Sequence, residues 1–456
     1  MPVSRSRKIA FEVLHRVEAE GAYASDVLHE QLGADLKAAD AALSTELTLG
    51  VLRWRRLLDF LLVRHLKKQV EQLDLPVALA LRMGLYQLRF LEKIPPRAAV
   101  NESVELVKQA RKASAAPLVN AVLRKASAEA KTPANELVSS DLASVERLAI
   151  LQSHPAWMVK RWTARFGEER TAALLAGNNQ RPRLSCALNS PDRRDDVFRE
   201  MESAGMHVEP GLLLKTAFSV SGGSPARTQS FRAGLISIQD EASQAIALLL
   251  DVRPGDRILD LCAAPGGKTP PLARAAGRAG VVIAADRHAH RLRAMRAQFE
   301  RLALDRVEIV ELDAERPLPF SQPFDRILLD APCSGTGTLA RHPEIRWRLR
   351  PQQLRDFHKM QACMLRNAIA MLAPGGQLVY STCSMEPEEN EEVIAEVLSE
   401  NTSIRTAAPI NSANRLQVHL TGGVDAASFF GSDGYFRTSP AQQHSDGFFA
   451  AVLDKQ

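Results

Sequence analysis

The 456-residue chain contains few cysteines and no long apolar run. A membrane helix requires roughly 18–20 apolar residues, and runs such as 246–250 are only long enough for a protein core. The basic segment 1–8 is not followed by an apolar stretch, so we expect no secretory signal. The five cysteines have no paired spacing, which argues against a disulfide framework, and no His/Cys cluster has zinc-ligand spacing. These absences predict a cytoplasmic protein with neither a membrane segment nor a metal site.

The net charge of the chain is also small. Lys and Arg exceed Asp and Glu by only five, and the first ~130 residues alone sum to about +5. A basic N-terminal part followed by a nearly neutral remainder suggests a polyanionic partner such as nucleic acid. Proteins that bind nothing charged often carry a net charge of this size, so charge alone does not decide the question.

Apolar periodicity divides the chain into three parts. From Arg5 to about Ala130 apolar residues recur at helical steps, without the alternation of strands. The polar stretch 131–135 reads as a linker to a smaller mixed segment. From Gly234 onward strands and helices alternate as in a doubly wound parallel sheet. We therefore predict an all-α domain over 1–135, a small α+β module over 141–232 and an α/β domain over 233–456.

Some local boundaries are also expected. The Pro95-Pro96 pair is predicted to interrupt the helices, and a new helix is predicted to start at Asn101. In the middle segment we expect a helix after His154, a strand over Leu184–Leu188 and a helix over 192–204.

A glycine-rich turn follows the first strand of the α/β part, which is predicted over Arg257–Leu261. A turn of this kind lets backbone N–H groups approach a ligand closely. A phosphate-binding P-loop would need glycine where Cys262 stands, and the dinucleotide fingerprint G-x-G-x-x-G is absent. The turn consists of Cys262, Ala263, Ala264, Pro265, Gly266, Gly267 and Lys268.

Polar residues end four later strands of the α/β part, at Asp286, Asp313, Asp330 and Ser381-Thr382-Cys383. Open α/β sheets bind ligands at the carboxyl ends of their strands. Asp286 lies about 20 residues past the turn, where a carboxylate reaches ribose hydroxyls. A lone Asp after a strand is usually a turn or cap residue, but this set after a glycine-rich turn indicates a ligand site. Several carboxylates without a phosphate loop suit a cationic nucleoside such as S-adenosylmethionine.

Two cysteines at strand ends fit one particular chemistry. Carbon 5 of cytosine is a poor nucleophile, but a thiolate that adds to C6 converts it into an enamine carbon that attacks a methyl sulfonium. Cys333 and Cys383 are the candidates, and backbone amides in the following turns are expected to lower their pKa. Asp330 is expected to hold N3 of the base in its protonated form. Chemistry alone does not say which thiol attacks.

The remaining cysteines have a plainer interpretation. Cys186, Cys262 and Cys363 are expected to be small buried apolar side chains, which is the usual role of a free cysteine.

Long motifs in the C-terminal half resemble the bacterial RNA (cytosine-C5)-methyltransferases of the Fmu/Sun family. The resemblance implies a Rossmann-like class I methyltransferase domain whose S-adenosylmethionine contacts fall on 262–268, Asp286, Asp313 and Asp330. It also implies that Cys383, in the T-C-S motif, is the nucleophile and that Cys333, in P-C-S-G, helps to release the product. The motifs that carry it are 238–243, 259–269, 329–336, 341–345, 378–390 and 446–449.

The first two parts also resemble modules of this family, a NusB-like RNA-binding fold and a small ferredoxin-like module. Relatives without the NusB-like domain methylate other RNAs, so the resemblance implies 16S rRNA, free or in an early assembly intermediate, with one target at position 967. Two alternatives stay open: the same chemistry on tRNA or another rRNA site, and a NusB-like RNA-binding or assembly factor with an inactive methyltransferase half. No oligomer is implied, and a monomer is expected.

Two arginine-rich segments are candidates for RNA contact. Four arginines surround Trp347 within 341–350, directly after the P-C-S-G motif, and 53–56 reads Arg-Trp-Arg-Arg. Arginine beside an aromatic ring suits phosphate contact and base stacking. The alternative is a helix start with Trp347 packed inward.

Overall fold

The computed structural model describes residues 3–33 and 36–456. Two compact units are distinguished by their internal contacts. One comprises the residues up to 181 together with 339–348, and the other comprises 182–338 together with 349–456. Within the described ranges, no helix is both long enough and apolar enough to cross a bilayer.

The first unit is built from helices, as the periodicity predicts. Its core is formed by apolar faces of α1, α3, α4, α5 and α6, and α4 is buried on nearly all sides from Val77 to Leu88. The helices up to residue 181 are α1 (Arg5–Ala19), α2 (Ala24–Gln31), α3 (Ala38–Val63), α4 (Leu75–Phe90), α5 (Pro96–Gln109), α6 (Ala116–Glu129), α7 (Ala134–Leu137), α8 (Ser144–Leu151), α9 (Ala156–Phe166) and α10 (Glu168–Asn179).

One boundary in this unit differs from the prediction. Helix α5 begins at Pro96, so the expected restart at Asn101 is wrong. Proline in the first helical turn lacks only an N–H that would be unpaired there, and its fixed φ suits a helix. The helix expected after His154 is present as α9.

A small antiparallel sheet opens the second unit. Its strands are β1 (Leu184–Leu188), β2 (His207–Pro210), β3 (Ala217–Ser221) and β4 (Ile236–Ile238), in the order β2-β3-β1-β4. Helix α11 (Arg194–Ser203) packs against it, and α12 (Gln229–Arg232) precedes β4. The strand predicted over Leu184–Leu188 and the helix predicted over 192–204 are therefore confirmed.

The large sheet of the second unit carries the strand ends that the sequence singles out. Its spatial order is β10-β12-β9-β8-β5-β6-β7, with β11 paired to β12. Strands β7, β6, β5, β8 and β9 are parallel, whereas β12 is antiparallel to β9, β10 and β11. The strands are β5 (Arg257–Leu261), β6 (Val281–Asp286), β7 (Val307–Glu311), β8 (Phe324–Asp330), β9 (Leu372–Thr382), β10 (Ile404–Thr406), β11 (Phe436–Arg437) and β12 (Phe449–Lys455).

The topology creates a crevice at one edge of this sheet. The chain runs from β5 outward to β7 and then returns to β8 on the other side of β5, so the connections diverge between β5 and β8. Ligands of open α/β sheets bind at such a switch point, outside the carboxyl ends of the strands. The register pairs Leu261 with Leu329 and Asp330 with Ser381, which brings the ends of β5, β8 and β9 level.

Helices cover both faces of the large sheet and bury the apolar residues of its strands. Proline residues occupy the first turn of α14, where they are tolerated. The helices of the second unit are α13 (Glu241–Leu248), α14 (Thr269–Ala276), α15 (Ala289–Arg301), α17 (Gln353–Ala370), α18 (Glu391–Ser399), α19 (Pro409–Gln417) and α20 (Pro440–Gln443). The short helix α16 (Ile345–Arg348) belongs to the first unit. Single 3-10 turns lie at Val70–Gln72, Ala113–Ala115, Pro191–Arg193, Pro225–Arg227, Thr336–Thr338, Pro387–Glu389 and Ala426–Phe429.

Candidate active site

The glycine-rich turn after β5 is held in a conformation that few side chains tolerate. Gly266 has φ +94°, and a Cβ there would lie 2.8 Å from atoms of Met295 and Phe299. The backbone of the turn is pinned to the sheet because the Ala263 N–H donates to the Ala285 carbonyl at 2.9 Å. The turn is therefore packed closely against the helix that carries Met295 and Phe299 and is fixed to the sheet.

A buried carboxylate lies directly beneath this turn. Asp260, on β5, is fully buried and accepts a hydrogen bond from the Thr269 hydroxyl at 2.6 Å through Oδ2. Among the described residues its Oδ1 has no hydrogen-bond partner. Burial raises the pKa of Asp260 to about 7, because the charged form loses its hydration.

Asp286 lies at the carboxyl end of β6 and is tied to the same turn. Its Oδ2 accepts from the Ala264 N–H at 3.3 Å, and its Oδ1 accepts from the His288 N–H at 3.1 Å. Asp313 follows β7, where its Oδ1 accepts from the Glu315 N–H at 3.1 Å. The Leu312 N–H donates to the Asp286 carbonyl, so the segment that carries Asp313 runs along the end of β6.

Asp330 joins the turn to the end of β9. Its Oδ2 forms an ion pair with Lys268 Nζ at 2.6 Å, and its Oδ1 accepts from the Ser381 hydroxyl at 2.7 Å. Burial acts to lower the pKa of Lys268, but the Asp330 carboxylate outweighs this effect and the net pKa is raised. Lys268 is therefore a cation, and its charge also interacts with Cys383.

The two candidate thiols are adjacent. Cys333 follows β8, Cys383 follows β9, and their sulfur atoms lie 3.3 Å apart. The hydrogen bond with Cys383 and burial raise the pKa of Cys333 well above its ordinary value. The prediction that backbone amides lower the pKa is therefore wrong for Cys333. The Gly335 amide does act in that direction, but more weakly than the other two effects.

Backbone contacts lock the loops that carry these cysteines. The Gly337 N–H donates to the Cys383 carbonyl at 2.9 Å, and the Met385 N–H donates to Thr336 Oγ1 at 2.8 Å. Gly447 in turn donates to the Gly337 carbonyl at 2.8 Å, and a Cβ on Gly337 would lie 2.0 Å from the Gly447 carbonyl oxygen. The closing segment 446–449 thus flanks both cysteine loops, a role that the sequence motif alone did not reveal.

The other three cysteines have different surroundings. Cys186 is fully buried in the core of the small sheet, and burial raises its pKa to about 12. The Cys363 thiol donates to the Glu315 carbonyl at 3.1 Å. Cys262 is half-buried in the glycine-rich turn, and burial raises its pKa.

The arginine-rich segment after the P-C-S-G motif packs inside the first unit. Arg346 is buried, and its guanidinium donates to the carbonyls of Arg53, Ser153 and Asn178. The Trp347 indole N–H donates to the Leu52 carbonyl at 2.7 Å. The prediction of RNA contact is therefore wrong for Arg346, and Trp347 follows the alternative of inward packing. A guanidinium has five N–H donors, which suits it to collecting carbonyl groups in this way.

Arg53 does not support RNA contact either. It is buried and donates to the Ala340 carbonyl at 2.8 Å, while the Arg55 guanidinium lies over the Trp347 ring. Both arginine-rich segments thus contribute to the packing of the helical unit.

Comparison with known proteins identifies the family of the chain. The family model for the 16S rRNA methyltransferase RsmB/F matches residues 247–454, the NusB family matches 4–128, and an RsmF/B-like ferredoxin-like domain matches 154–226. A probable ribosomal RNA small subunit methyltransferase B of Bacillus subtilis (strain 168) is 33% identical over 94% of this chain and 97% of its own length. The chain belongs to the RsmB/F family. The predicted fold class, with NusB-like, ferredoxin-like and Rossmann-like methyltransferase parts, is thereby confirmed.

Two further similarities agree with membership of the RsmB/F family. The ribosomal RNA small subunit methyltransferase B of Pseudomonas putida (strain KT2440) is 35% identical over 87% of this chain and 89% of its own length. A crystal structure of a methyltransferase homolog from Pyrococcus horikoshii superposes with a TM-score of 0.55 at 27% identity, covering 69% of this chain and all of that one. The protein is therefore an S-adenosylmethionine-dependent rRNA (cytosine-C5)-methyltransferase, as the motifs predict.

The residues at the crevice fit S-adenosylmethionine in charge. The unpartnered Oδ1 of Asp260 lies buried beneath the glycine-rich turn. Asp286 and Asp313 place further carboxylates at the same edge, where they complement a cationic nucleoside. When bound, the cofactor supplies an electrophilic methyl group on a sulfonium.

Proposed function

We propose that the protein methylates carbon 5 of the cytosine at position 967 of 16S rRNA through a covalent bond between Cys383 and C6 of the base. The observation that carries the proposal is the pair of sulfur atoms 3.3 Å apart, beside the Lys268–Asp330 ion pair. The position follows from the resemblance to family members that carry a NusB-like domain. Other rRNA sites and tRNA are the alternatives that the experiment below separates.

Cys383 is proposed as the nucleophile. The Lys268 ammonium, which forms an ion pair with Asp330, also interacts electrostatically with Cys383. The thiolate adds to C6, the electron pair of the C5–C6 double bond shifts toward C4 to make C5 an enamine carbon, and N3 takes a proton from water. Asp330 accepts a hydrogen bond from the N3–H that forms. Carbon 5 then takes the methyl group as the carbon–sulfur bond of the sulfonium breaks.

Cys333 is proposed to assist the release of the product. Its raised pKa keeps it a neutral thiol at pH 7, and a thiol 3.3 Å away donates a hydrogen bond to the Cys383 sulfur. When water takes the proton from C5 and N3 gives up its proton, the C5–C6 double bond re-forms and the C6–sulfur bond breaks. A hydrogen bond from Cys333 stabilises the thiolate that leaves.

The cofactor contacts are proposed to be the ones predicted from the sequence. The backbone of Cys262, Ala263, Ala264, Pro265, Gly266 and Gly267, with Lys268, forms the floor, and Asp286 binds the ribose hydroxyls. Asp313 and Asp330 supply the remaining carboxylates at the carboxyl ends of β7 and β8. Among these proposed contacts Asp286 has the strongest support, because its Oδ2 accepts a hydrogen bond from the Ala264 N–H of the turn.

The working unit is proposed to be a cytoplasmic monomer that acts on free 16S rRNA or an early assembly intermediate. Its three domains are proposed to span 1–135, 141–232 and 233–456. The family matches over 4–128, 154–226 and 247–454 support this division, since each falls within one of the proposed domains.

The direct test is transfer of labelled methyl from S-adenosylmethionine to protein-free 16S rRNA, mapped by bisulfite sequencing. A single 5-methylcytosine at position 967 is expected. Methylation of 23S rRNA, tRNA or another 16S site, assayed in parallel, would contradict the proposed target while leaving the chemistry in place.

A further inference from the structure

A buried glutamate lies behind the two thiols. Glu389 ends the 3-10 turn Pro387–Glu389, and its side chain is fully buried. The carboxylate accepts hydrogen bonds from the Ser334 hydroxyl and, at 2.7 Å, from the Ser334 N–H. It also accepts from the Ser384 hydroxyl at 2.6 Å and from Gln361 Nε2 at 3.1 Å. A buried carboxylate with this many donors holds the segments that carry them in fixed positions, because a charged acceptor fixes the direction of each hydrogen bond.

The donors are arranged in a specific way. Ser334 directly follows Cys333, and Ser384 directly follows Cys383, so one carboxylate binds the neighbour of each thiol. Gln361, on α17, extends the arrangement by donating to the Pro332 carbonyl at 2.8 Å, on the other side of Cys333. The two serine hydroxyls are also 3.1 Å apart.

We propose that Glu389 is a positioning residue for methyl transfer, whose carboxylate sets the spacing of the Cys333 and Cys383 sulfurs by binding the serine after each of them. The proposal rests on the function proposed above for the two cysteines. It goes beyond that function because Glu389 acts on the spacing of the two thiols through its hydrogen bonds with Ser334 and Ser384.

The charge of Glu389 adds a second contribution. Burial raises its pKa, but hydrogen bonds from Ser334, Ser384 and Gln361 act against this effect by favouring the anion. The negative charge in turn raises the pKa of Cys333, after the larger effects of Cys383 and burial. Glu389 therefore helps to keep Cys333 as a neutral donor.

The replacement Glu389→Gln tests the spacing with little change in volume. Glu389 Oε2 accepts from the Ser334 N–H and Gln361, and Oε1 accepts from the two serine hydroxyls. A glutamine that keeps its oxygen on the first pair turns its NH2 group toward the two hydroxyls, which must then change from donors to acceptors. The exposed Glu392→Gln, three residues away, is the matched control. Ser334→Ala and Ser384→Ala each remove the hydrogen bond from one serine hydroxyl to Glu389. These two variants replace Glu389→Gln in the test if that variant does not fold.

Two readouts separate positioning from general stability. The first is steady-state methylation of 16S rRNA: Glu389→Gln is expected to lower kcat at least tenfold, with KM for RNA and cofactor affinity within twofold of wild type. The second is binding of an aryl arsenoxide, which bonds two neighbouring thiols at once. Its affinity is expected to fall at least tenfold in Glu389→Gln and to stay unchanged in Glu392→Gln, with Cys333→Ala as the control that removes the dithiol.

The outcomes distinguish this proposal from the one on which it rests. Arsenoxide affinity and kcat that both stay within twofold of wild type in Glu389→Gln would overturn the positioning role. So would a loss of activity with unchanged arsenoxide affinity, since the thiol spacing would then be intact. A wild-type enzyme that binds the arsenoxide but forms no 5-methylcytosine would instead overturn the proposed function, while weaker arsenoxide binding in Glu389→Gln would still support the spacing.

Discussion

The sulfur atoms of Cys333 and Cys383 lie 3.3 Å apart at the ends of neighbouring parallel strands. The register of β8 and β9 produces this proximity, because it pairs Asp330 with Ser381 and so starts both loops at the same level. One thiol is held neutral by its environment, and the other interacts with the Lys268 ammonium. Two thiols of different character at one place are what a reaction with separate attack and release steps requires.

Replacing Cys383 by alanine is expected to abolish methyl transfer, with a decrease of at least 10³-fold in kcat, because no other group supplies the bond to C6. Cofactor affinity should be unchanged, since Lys268, the residue of the turn that interacts with Cys383, is still held by its ion pair with Asp330. Isothermal titration with S-adenosylmethionine and a methyl-transfer assay check both parts. Residual activity above a tenth of wild type would contradict the assignment.

Replacing Cys333 by alanine is expected to leave attack in place and slow release. The enzyme should then accumulate as a protein–RNA adduct that survives a denaturing gel, and turnover should fall sharply after the first cycle. Cys363→Ala, which removes a cysteine bonded to the Glu315 carbonyl, is the matched control and should turn over normally. An adduct in Cys383→Ala, and none in Cys333→Ala, would exchange the two roles.

Replacing Asp286 by alanine is expected to weaken cofactor binding at least tenfold and to change kcat little at saturating cofactor. The carboxylate is proposed to bind the ribose hydroxyls and accepts from the Ala264 N–H, so its loss is also expected to loosen the turn. Asp305→Ala, at an exposed carboxylate, is the control. If cofactor affinity stays at the wild-type value, Asp286 has no ribose role.

Replacing Asp260 by asparagine is expected to change how stability depends on pH. An unfolded Asp ionises near pH 4, whereas folded Asp260 keeps its proton until about pH 7. Between these values the native state binds the additional proton, so the contribution of Asp260 to stability is full below pH 4 and is lost as the pH rises to 7. The Asp260→Asn protein does not lose this stability as the pH rises, because asparagine does not titrate, and its amide oxygen still accepts from the Thr269 hydroxyl.

Denaturant unfolding of the cofactor-free protein at pH 5 and pH 8 provides the measurement. Relative to wild type, Asp260→Asn should gain on the order of 2–3 kcal/mol of unfolding free energy between the two pH values. All other titrating groups are common to both proteins and cancel in the difference. An equal pH dependence of the two proteins would show that Asp260 is not protonated in the native state.

Replacing Arg346 by methionine is expected to destabilise the protein by more than about 3 kcal/mol, because three buried carbonyls lose their charged donor. The exposed Arg350→Met is the control and should change stability by less than about 0.5 kcal/mol. Thermal unfolding and RNA binding, measured on both variants, separate packing from RNA contact. Weaker RNA binding by Arg346→Met at unchanged stability would restore the RNA-contact interpretation.

Local patterns were sufficient to predict much of the α/β part. Strand β5 matches its predicted bounds because a buried parallel strand is a short apolar run with a clear turn at its end. The polar residues at strand ends were likewise visible, since each comes directly after such a run. The first unit was predicted as all-α for the same reason, apart from the start of α5 at Pro96.

Contacts between distant segments were not visible in the sequence. Glu389 lies in the motif 378–390, and only the fold brings it within hydrogen-bonding distance of Ser334. Arg346 looks like an RNA contact because its carbonyl partners belong to segments more than 160 residues away. The Gly337–Gly447 contact similarly depends on the pairing of β12 with β9.

The most direct test of the account is to identify the residue that is bonded to RNA. The Cys333→Ala enzyme would be incubated with S-adenosylmethionine and 16S rRNA, the adduct digested with nuclease and protease, and the linked peptide sequenced by mass spectrometry. If Cys383 is the nucleophile, the linked peptide should carry a single 5-methylcytidine attached to Cys383. A nucleotide attached to another residue, or an RNA methylated at carbon 5 without any adduct, would contradict it.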